Sequence, residues 1–145
     1  MTVLLINASC KTHSEAEEKE SNLSFSERIK LRQYMVQGEQ LYKLHCANCH
    51  SADGSGLAKL IPPLVRSKNL NANPSKIICG IRNGMAGPMV INGISFDSQM
   101  PPNYKLTYLE IAEIITYVGN SWGNSTGIIT SDIVANNLSN CRLKN

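Results

Sequence analysis

Apolar side chains recur every three or four positions in several stretches of this chain, which is the spacing of a helix with one buried face. The first stretch begins after Ser24 and Glu27, which have the spacing of a capping box. Its stripe contains Leu31, Tyr34, Met35, Gly38, Leu41, Tyr42 and His45. Gly38 costs this helix about 1 kcal/mol relative to alanine. It therefore marks either a break between two helices or a close crossing of another element.

Two further elements are predicted in the middle of the chain. A helix starts at Asn73-Pro74, because asparagine caps helices and proline fits their first position, and Gly84 is suited to end it. Its apolar face consists of Ile77, Ile78 and Ile81. Alternating apolar residues around an Asn-Gly pair then predict a small β-hairpin near residues 89–96.

A last regular helix follows Thr107 and Glu110, which again have capping-box spacing. Its stripe is formed by Ile111, Ile114, Ile115 and Val118, and it ends near Gly119 or Asn120. The extension 123–145 contains one short candidate helix, capped by Ser131-Asp132. Three apolar residues share one face of it, Ile133, Val134 and Leu138. We expect these to be too few for firm docking.

The amino-terminal residues predict a leader end and a tether. Residues 1–10 end in Ala8-Ser9-Cys10, which resembles the end of a bacterial lipoprotein signal, where the cysteine receives the lipid. The apolar stretch is shorter than in a secretory signal, and no basic residue precedes it. Lipidation of Cys10 and a free surface cysteine therefore both remain open. Residues 11–25 are polar and rich in Glu and Lys, which predicts a disordered tether.

Composition narrows the class of protein. A chain of 145 residues can form one domain with its own core. Its apolar runs are far shorter than the roughly 20 residues of a membrane-spanning helix. The net charge of +3 is too small to indicate a nucleic-acid partner. Five cysteines and three histidines direct attention to metal, haem or disulfide chemistry instead.

The strongest motif is Cys46-Ala47-Asn48-Cys49-His50, the C-x-x-C-H pattern of covalent c-type haem attachment. Cysteines three positions apart project from one face of a helix. Their thiols can therefore add to the two vinyl groups of one porphyrin, while the adjacent histidine faces the iron. A structural zinc site would need a fourth ligand, and a thioredoxin-like dithiol would need a βαβ context. Both are weaker explanations here.

With the surrounding chain, this motif resembles the class I c-type cytochromes. The shared features are the helix ending in C-x-x-C-H, a Pro-x-Leu loop after it, a methionine before proline some way on, and a closing helix with an aromatic residue. The resemblance covers about residues 34–122 and implies a mostly α, class I cytochrome c fold. We expect about four to five helices around one covalent haem c, with the domain at 26–122. The tail is similar to that of small single-haem cytochromes of Bacteroidota-like bacteria.

The resemblance implies roles for individual residues. Pro62 is expected to accept a hydrogen bond from Nδ1–H of His50, which would orient the imidazole and raise its basicity. Gly38 and Tyr42 are expected to cross the last helix near Tyr117. Met100, directly before two prolines, is the expected second axial ligand of the iron. We interpret the other methionines within reach, Met85 and Met89, as core fillers.

A His/Met ligand pair leaves no open coordination site and raises the reduction potential. The sequence therefore predicts an exported, monomeric carrier of single electrons between respiratory protein partners on the periplasmic side, and no enzyme. Two alternatives remain, a haem enzyme or small-ligand sensor with an open iron site and a zinc-binding interaction domain. A basic ring around the haem edge would contain Lys59, Arg66, Lys68, Arg82 and Lys105.

The remaining cysteines predict a disulfide. Two thioethers leave Cys10, Cys79 and Cys141, an odd number for an oxidising compartment. Lipidation of Cys10 would account for the odd one and also supply a membrane anchor, leaving Cys79 and Cys141 as a pair. A bridge closing a loop of about 60 residues would stabilise the fold by roughly 4 kcal/mol in the chain-entropy model.

Overall fold

The computed structural model describes residues 22–141 of the chain. Its helices are α1 (Phe25–His45), α2 (Ala47–His50), α3 (Lys68–Ala72), α4 (Pro74–Asn83), α5 (Tyr108–Asn120) and α6 (Ser131–Ser139), and strands β1 (Met89–Ile91) and β2 (Ile94–Phe96) form a hairpin. The expected mostly α fold with one small hairpin is confirmed. Within the described residues, no helix is long and apolar enough to cross a membrane.

The crossing of α1 and α5 organises the fold. The predicted capping box starts α1, with the Ser24 backbone N–H donating to the Glu27 carboxylate over 2.8 Å. The helix continues through Gly38 without a break. The glycine is needed because α5 crosses α1 at this point. A Cβ at this position would overlap the Glu113 carbonyl and the Tyr117 side chain. The expected crossing near Tyr117 is confirmed.

The core lies between α1, α4, α5 and the tail. Its largest fully buried side chains are Tyr42, Leu70, Ile78, Ile111, Ile114, Ile115 and Val134. Four of these belong to α4 and α5, on the stripes that periodicity predicts. Capping is also as predicted, since Asn73 accepts from the Lys76 N–H and Thr107 forms a capping box with Glu110.

The hairpin forms around the expected turn. Asn92 and Gly93 have φ angles of 50° and 81°, as a type I′ turn requires at its two central positions. Ile91 pairs with Ile94, and Met89 pairs with Phe96. Phe96 is buried, so the hairpin has one face against the protein.

The expectation that the carboxyl-terminal extension docks poorly is wrong. Ile129 and Val134 are both buried, and α6 packs against α4 and α5. The buried hydroxyl of Thr116 accepts from the Ile129 N–H over 3.0 Å and donates to its carbonyl. Ile129 precedes the short helix, and its backbone bonds to α5 have no signature in apolar periodicity. The cap of α6 is Thr130, one residue before the predicted position.

The structure also joins Cys79 of α4 to Cys141 after α6 by a disulfide with a Cα–Cα distance of 5.8 Å. This separation lies within the range that a bridge needs. The pair spans 62 positions of sequence and ties the end of the tail to α4.

Candidate functional site

The end of α1 delivers the two motif cysteines and the histidine to one cleft. Cys46 closes α1 by donating its N–H to the Tyr42 carbonyl over 2.8 Å. The chain then makes the single helical turn α2, in which the His50 N–H donates to the Cys46 carbonyl over 2.9 Å. Cys46, Cys49 and His50 consequently all line the same cleft. A single turn of helix achieves this because side chains three and four positions apart share a face.

His50 is held by the chain that follows it. Its Nδ1 lies 3.1 Å from the Pro62 carbonyl, the contact that the resemblance implies. With Nδ1–H donating there, Nε2 is unprotonated in the neutral ring and is available as a ligand. Burial lowers the pKa of His50, and the bond to Pro62 partly opposes that shift. Burial therefore favours the neutral imidazole, and the bond to Pro62 fixes the orientation of the ring.

Gly56 makes the approach of Pro62 possible. Its N–H donates to the His50 carbonyl over 2.9 Å, so the loop returns directly beneath the histidine. A Cβ on Gly56 would lie 2.8 Å from the Pro62 carbonyl oxygen, and the residue has φ of 72°. Glycine therefore satisfies both the backbone conformation and the close contact.

An aromatic cluster supports this loop from behind, and sequence reasoning did not identify its role. The Tyr42 hydroxyl donates to the Ser51 carbonyl over 2.6 Å, next to His50. Ring centroids of Tyr42, Tyr117 and Trp122 lie 5.2–5.6 Å apart. Burial raises the pKa of Tyr42, which keeps its hydroxyl a donor. Tyr42 counts as one more apolar position in the helical stripe, so only the tertiary contact reveals the hydrogen bond.

Met100 also lines this cleft. Met100 is partly buried and packs against the core cluster, and its backbone exchanges two 2.9 Å hydrogen bonds with Met85. Met85 and Met89 also line the cleft and lie outside the core cluster, so their interpretation as core fillers is wrong. Both side chains are half-buried. Met85 follows the end of α4, and Met89 begins the hairpin.

The cleft is open and mostly apolar. Its lining includes Ile61, Phe96 and Leu106. Burial, and secondarily the neighbouring Cys49, raises the pKa of the Cys46 thiol to about 11. Within residues 22–141, no cluster of three or more His, Cys, Asp or Glu is arranged to hold a metal ion. Two thiols, an imidazole and a thioether around an apolar cleft fit a covalently attached haem.

Comparison with known proteins agrees with this donor set. The family model for cytochrome c matches residues 35–122. The chain belongs to the cytochrome c family. As a class I c-type cytochrome, it is an electron-carrying protein with covalently bound haem c.

Two kinds of curated relative share this cytochrome c region. The chain is 30% identical over 100 residues to the cytochrome c subunit of alcohol dehydrogenase (quinone) from Gluconacetobacter polyoxogenes. That match covers 66% of this chain and only 21% of the relative, so the chain spans about a fifth of that subunit. It is also 24% identical over 94 residues to cytochrome c-552 of Thermus thermophilus, covering 61% of this chain and 70% of the relative.

The basic ring predicted around the haem edge stays a prediction. None of its five members is among the described residues that line the cleft. The Arg82 guanidinium instead donates to the carbonyls of Tyr104 and Leu106 over 2.8 and 2.7 Å. Arg66 lies beside Trp122 and Gly123. Cys10 and His13 lie outside the described residues.

Proposed function

We propose that this cytochrome carries single electrons between protein redox partners, with Cys46 and Cys49 attaching the haem and His50 and Met100 as its axial ligands. The observation that carries the proposal is the 3.1 Å contact of His50 Nδ1 with the Pro62 carbonyl, in a cleft that Met100 also lines. That contact leaves Nε2 as the coordinating atom. The bound haem supplies reversible one-electron iron chemistry.

Of the three methionines in the cleft, Met100 is favoured as the axial ligand because of the way its backbone and side chain are held. Its N–H and carbonyl are both bonded to Met85, and Pro101 restricts the backbone conformation of Met100 itself. The Met85 sulfur, in contrast, lies against Gly80 of α4, where a Cβ would be 2.6 Å away. Met89 belongs to β1 and pairs with Phe96. Met85 shares these two backbone bonds, so Met100 is distinguished by the proline that follows it and by the packing of its side chain against the core cluster, which the other two methionines lack.

The proposed ligand pair determines what the site can do. Two strong protein ligands leave no position for a substrate, and the thioether raises the reduction potential. The apolar cleft walls disfavour the additional positive charge of the oxidised state and so act in the same direction. A carrier of this kind changes little on oxidation, whereas an enzyme or sensor of small ligands needs an open position.

A redox titration with carbon monoxide as a probe tests this proposal. The full-length haem-loaded protein should follow a reversible one-electron Nernst curve, and its reduced visible spectrum should be unchanged by carbon monoxide. Rapid carbon monoxide binding by the wild type would instead support the open-site enzyme or sensor. Absence of any haem spectrum after expression with haem-attachment machinery would support the zinc-binding alternative.

We propose that the partners are respiratory oxidoreductases that meet this chain transiently. The resemblance to the cytochrome c subunit of alcohol dehydrogenase (quinone) supports a dehydrogenase on the donor side, and the resemblance to cytochrome c-552, 70% of which the match covers, supports a freely exchanging carrier. Ser98, Gln99 and Asn103 line the cleft beside its apolar residues. A mixed, small contact surface suits redox partners that must separate quickly.

We also propose export to the periplasmic side and lipid attachment at Cys10. The sequence Ala8-Ser9-Cys10 supports this, as does the cysteine count, because Cys79 and Cys141 form a disulfide and the other two belong to the motif. Mass spectrometry of the mature protein should find a diacylglycerol-modified Cys10 as the first residue. An unmodified Met1 on a protein released with the soluble periplasmic fraction would contradict the anchor.

A further inference from the structure

The segment that contains Met100 is bonded to the end of α4. The N–H and carbonyl of Met100 bond to Met85, and the Asn103 N–H donates to the Ile81 carbonyl over 2.9 Å. The Arg82 guanidinium donates to the carbonyls of Tyr104 and Leu106. These five hydrogen bonds all reach residues 81–85. The position of the Met100 segment is therefore coupled to the position of this helix end.

The carboxyl-terminal tail in turn holds α4. The helix packs against α6 more extensively than against α5. The Cys79–Cys141 disulfide lies one residue before Gly80, against which the Met85 side chain rests. Gly84 ends α4 beneath the Met100 carbonyl, where a Cβ would be 2.8 Å from that oxygen. A continuous path of covalent bonds and close contacts thus leads from Cys141 to Met100.

We propose that α4, the Cys79–Cys141 disulfide and α6 act as a brace that positions the Met100 thioether for the iron. This proposal rests on the proposed function, since it assumes that Met100 is the axial ligand. The brace acts through backbone groups and touches no reacting atom, so its members are positioning residues. Opening the disulfide removes the covalent tie between α4 and the tail, so α4 can shift, and the Met100 segment shifts with it. The population in which the thioether is off the iron then rises.

The test compares the ferric haem-loaded wild type with the full-length Cys79→Ser/Cys141→Ser double variant. Serine is preferable to a chemical reductant, because a reductant would also reduce the iron. We expect a weaker sulfur-to-iron absorption band in the variant. We also expect about tenfold tighter apparent binding of imidazole, because an external ligand captures the state in which Met100 is displaced. Both measurements are made well below the unfolding temperature.

A matched control separates positioning from general loss of stability. Ser24→Ala removes the cap of α1, and the Ser24 hydroxyl bonds only to Ser26 and Glu27, far from the cleft in sequence. This variant should leave the sulfur-to-iron band and the imidazole affinity unchanged. If the double variant does not fold, Arg82→Gln keeps the disulfide but removes the bonds to Tyr104 and Leu106. Arg82→Gln should also bind imidazole more tightly than the wild type.

The outcomes distinguish the two levels of the proposal. A wild type without the sulfur-to-iron band would refute Met100 as ligand, and the brace with it. A wild type with the band, together with an unchanged band and imidazole affinity in the folded double variant and in Arg82→Gln, would overturn the brace alone. In that second case the proposed electron carrier would stand.

Discussion

A Cys46→Ser/Cys49→Ser double variant is expected to lose all of its haem to acidified acetone, whereas the wild type keeps its haem in the protein precipitate. Both thiols line the cleft and belong to no disulfide, so each is available for one thioether bond. Each single variant should retain haem less firmly through the remaining bond. His50→Ala should abolish normal ligation, because it removes the imidazole that the Pro62 carbonyl orients.

The matched control for attachment is again Cys79→Ser/Cys141→Ser. It also removes two cysteines, but these form the disulfide outside the motif. Its haem should remain in the precipitate as in the wild type. Quantitative extraction of haem from the wild type would show that the attachment is not covalent.

Met100→Ala is expected to lower the reduction potential and open the iron to external ligands. Loss of the thioether removes the ligand that favours the reduced state, and axial ligands control potentials over roughly 0.8 V. We therefore expect a fall on the order of 0.1–0.3 V, measured by spectroelectrochemical titration. The ferric protein should also lose the sulfur-to-iron absorption band, and the reduced protein should bind carbon monoxide.

The other methionines of the cleft provide the comparison. Met85→Ala and Met89→Ala each remove a thioether that lines the same cleft, but the backbone bonds between Met85 and Met100 are kept. The sulfur-to-iron band should persist in both variants. A band that survives Met100→Ala and disappears in one of these would transfer the axial position to that methionine.

Local chemistry in the sequence was enough to predict the elements that frame the site. The capping boxes at Ser24 and Thr107 and the asparagine cap at Asn73 begin helices where predicted, because their partners lie within three residues. The turn at Asn92-Gly93 follows from the positive φ angles that these residue types tolerate. The haem motif is equally local, since one helical turn brings its side chains to one face.

Sequence reasoning was incomplete where a residue's role depends on distant backbone. Arg82 was expected in a basic ring, and its bonds to the carbonyls of Tyr104 and Leu106, at sequence separations of 22 and 24, were not predicted. Met85 and Met89 were expected in the core, but they line the cleft. Neither outcome has a signature in residue type or spacing, because both depend on how α4 and the hairpin are placed.

The sequence by itself determined α1, α4 and α5, the hairpin, the haem motif and the resemblance to c-type cytochromes, since all of these depend on residues close together in the chain, whereas the short helix α3 was not predicted. The tertiary structure alone decided that the tail docks through Ile129 and Val134, that Tyr42 holds the Ser51 carbonyl, and that α4 carries the Met100 segment. These arrangements consist of buried contacts and backbone hydrogen bonds between distant segments. Such bonds use groups that nearly every residue possesses, so the folded chain selects the partners.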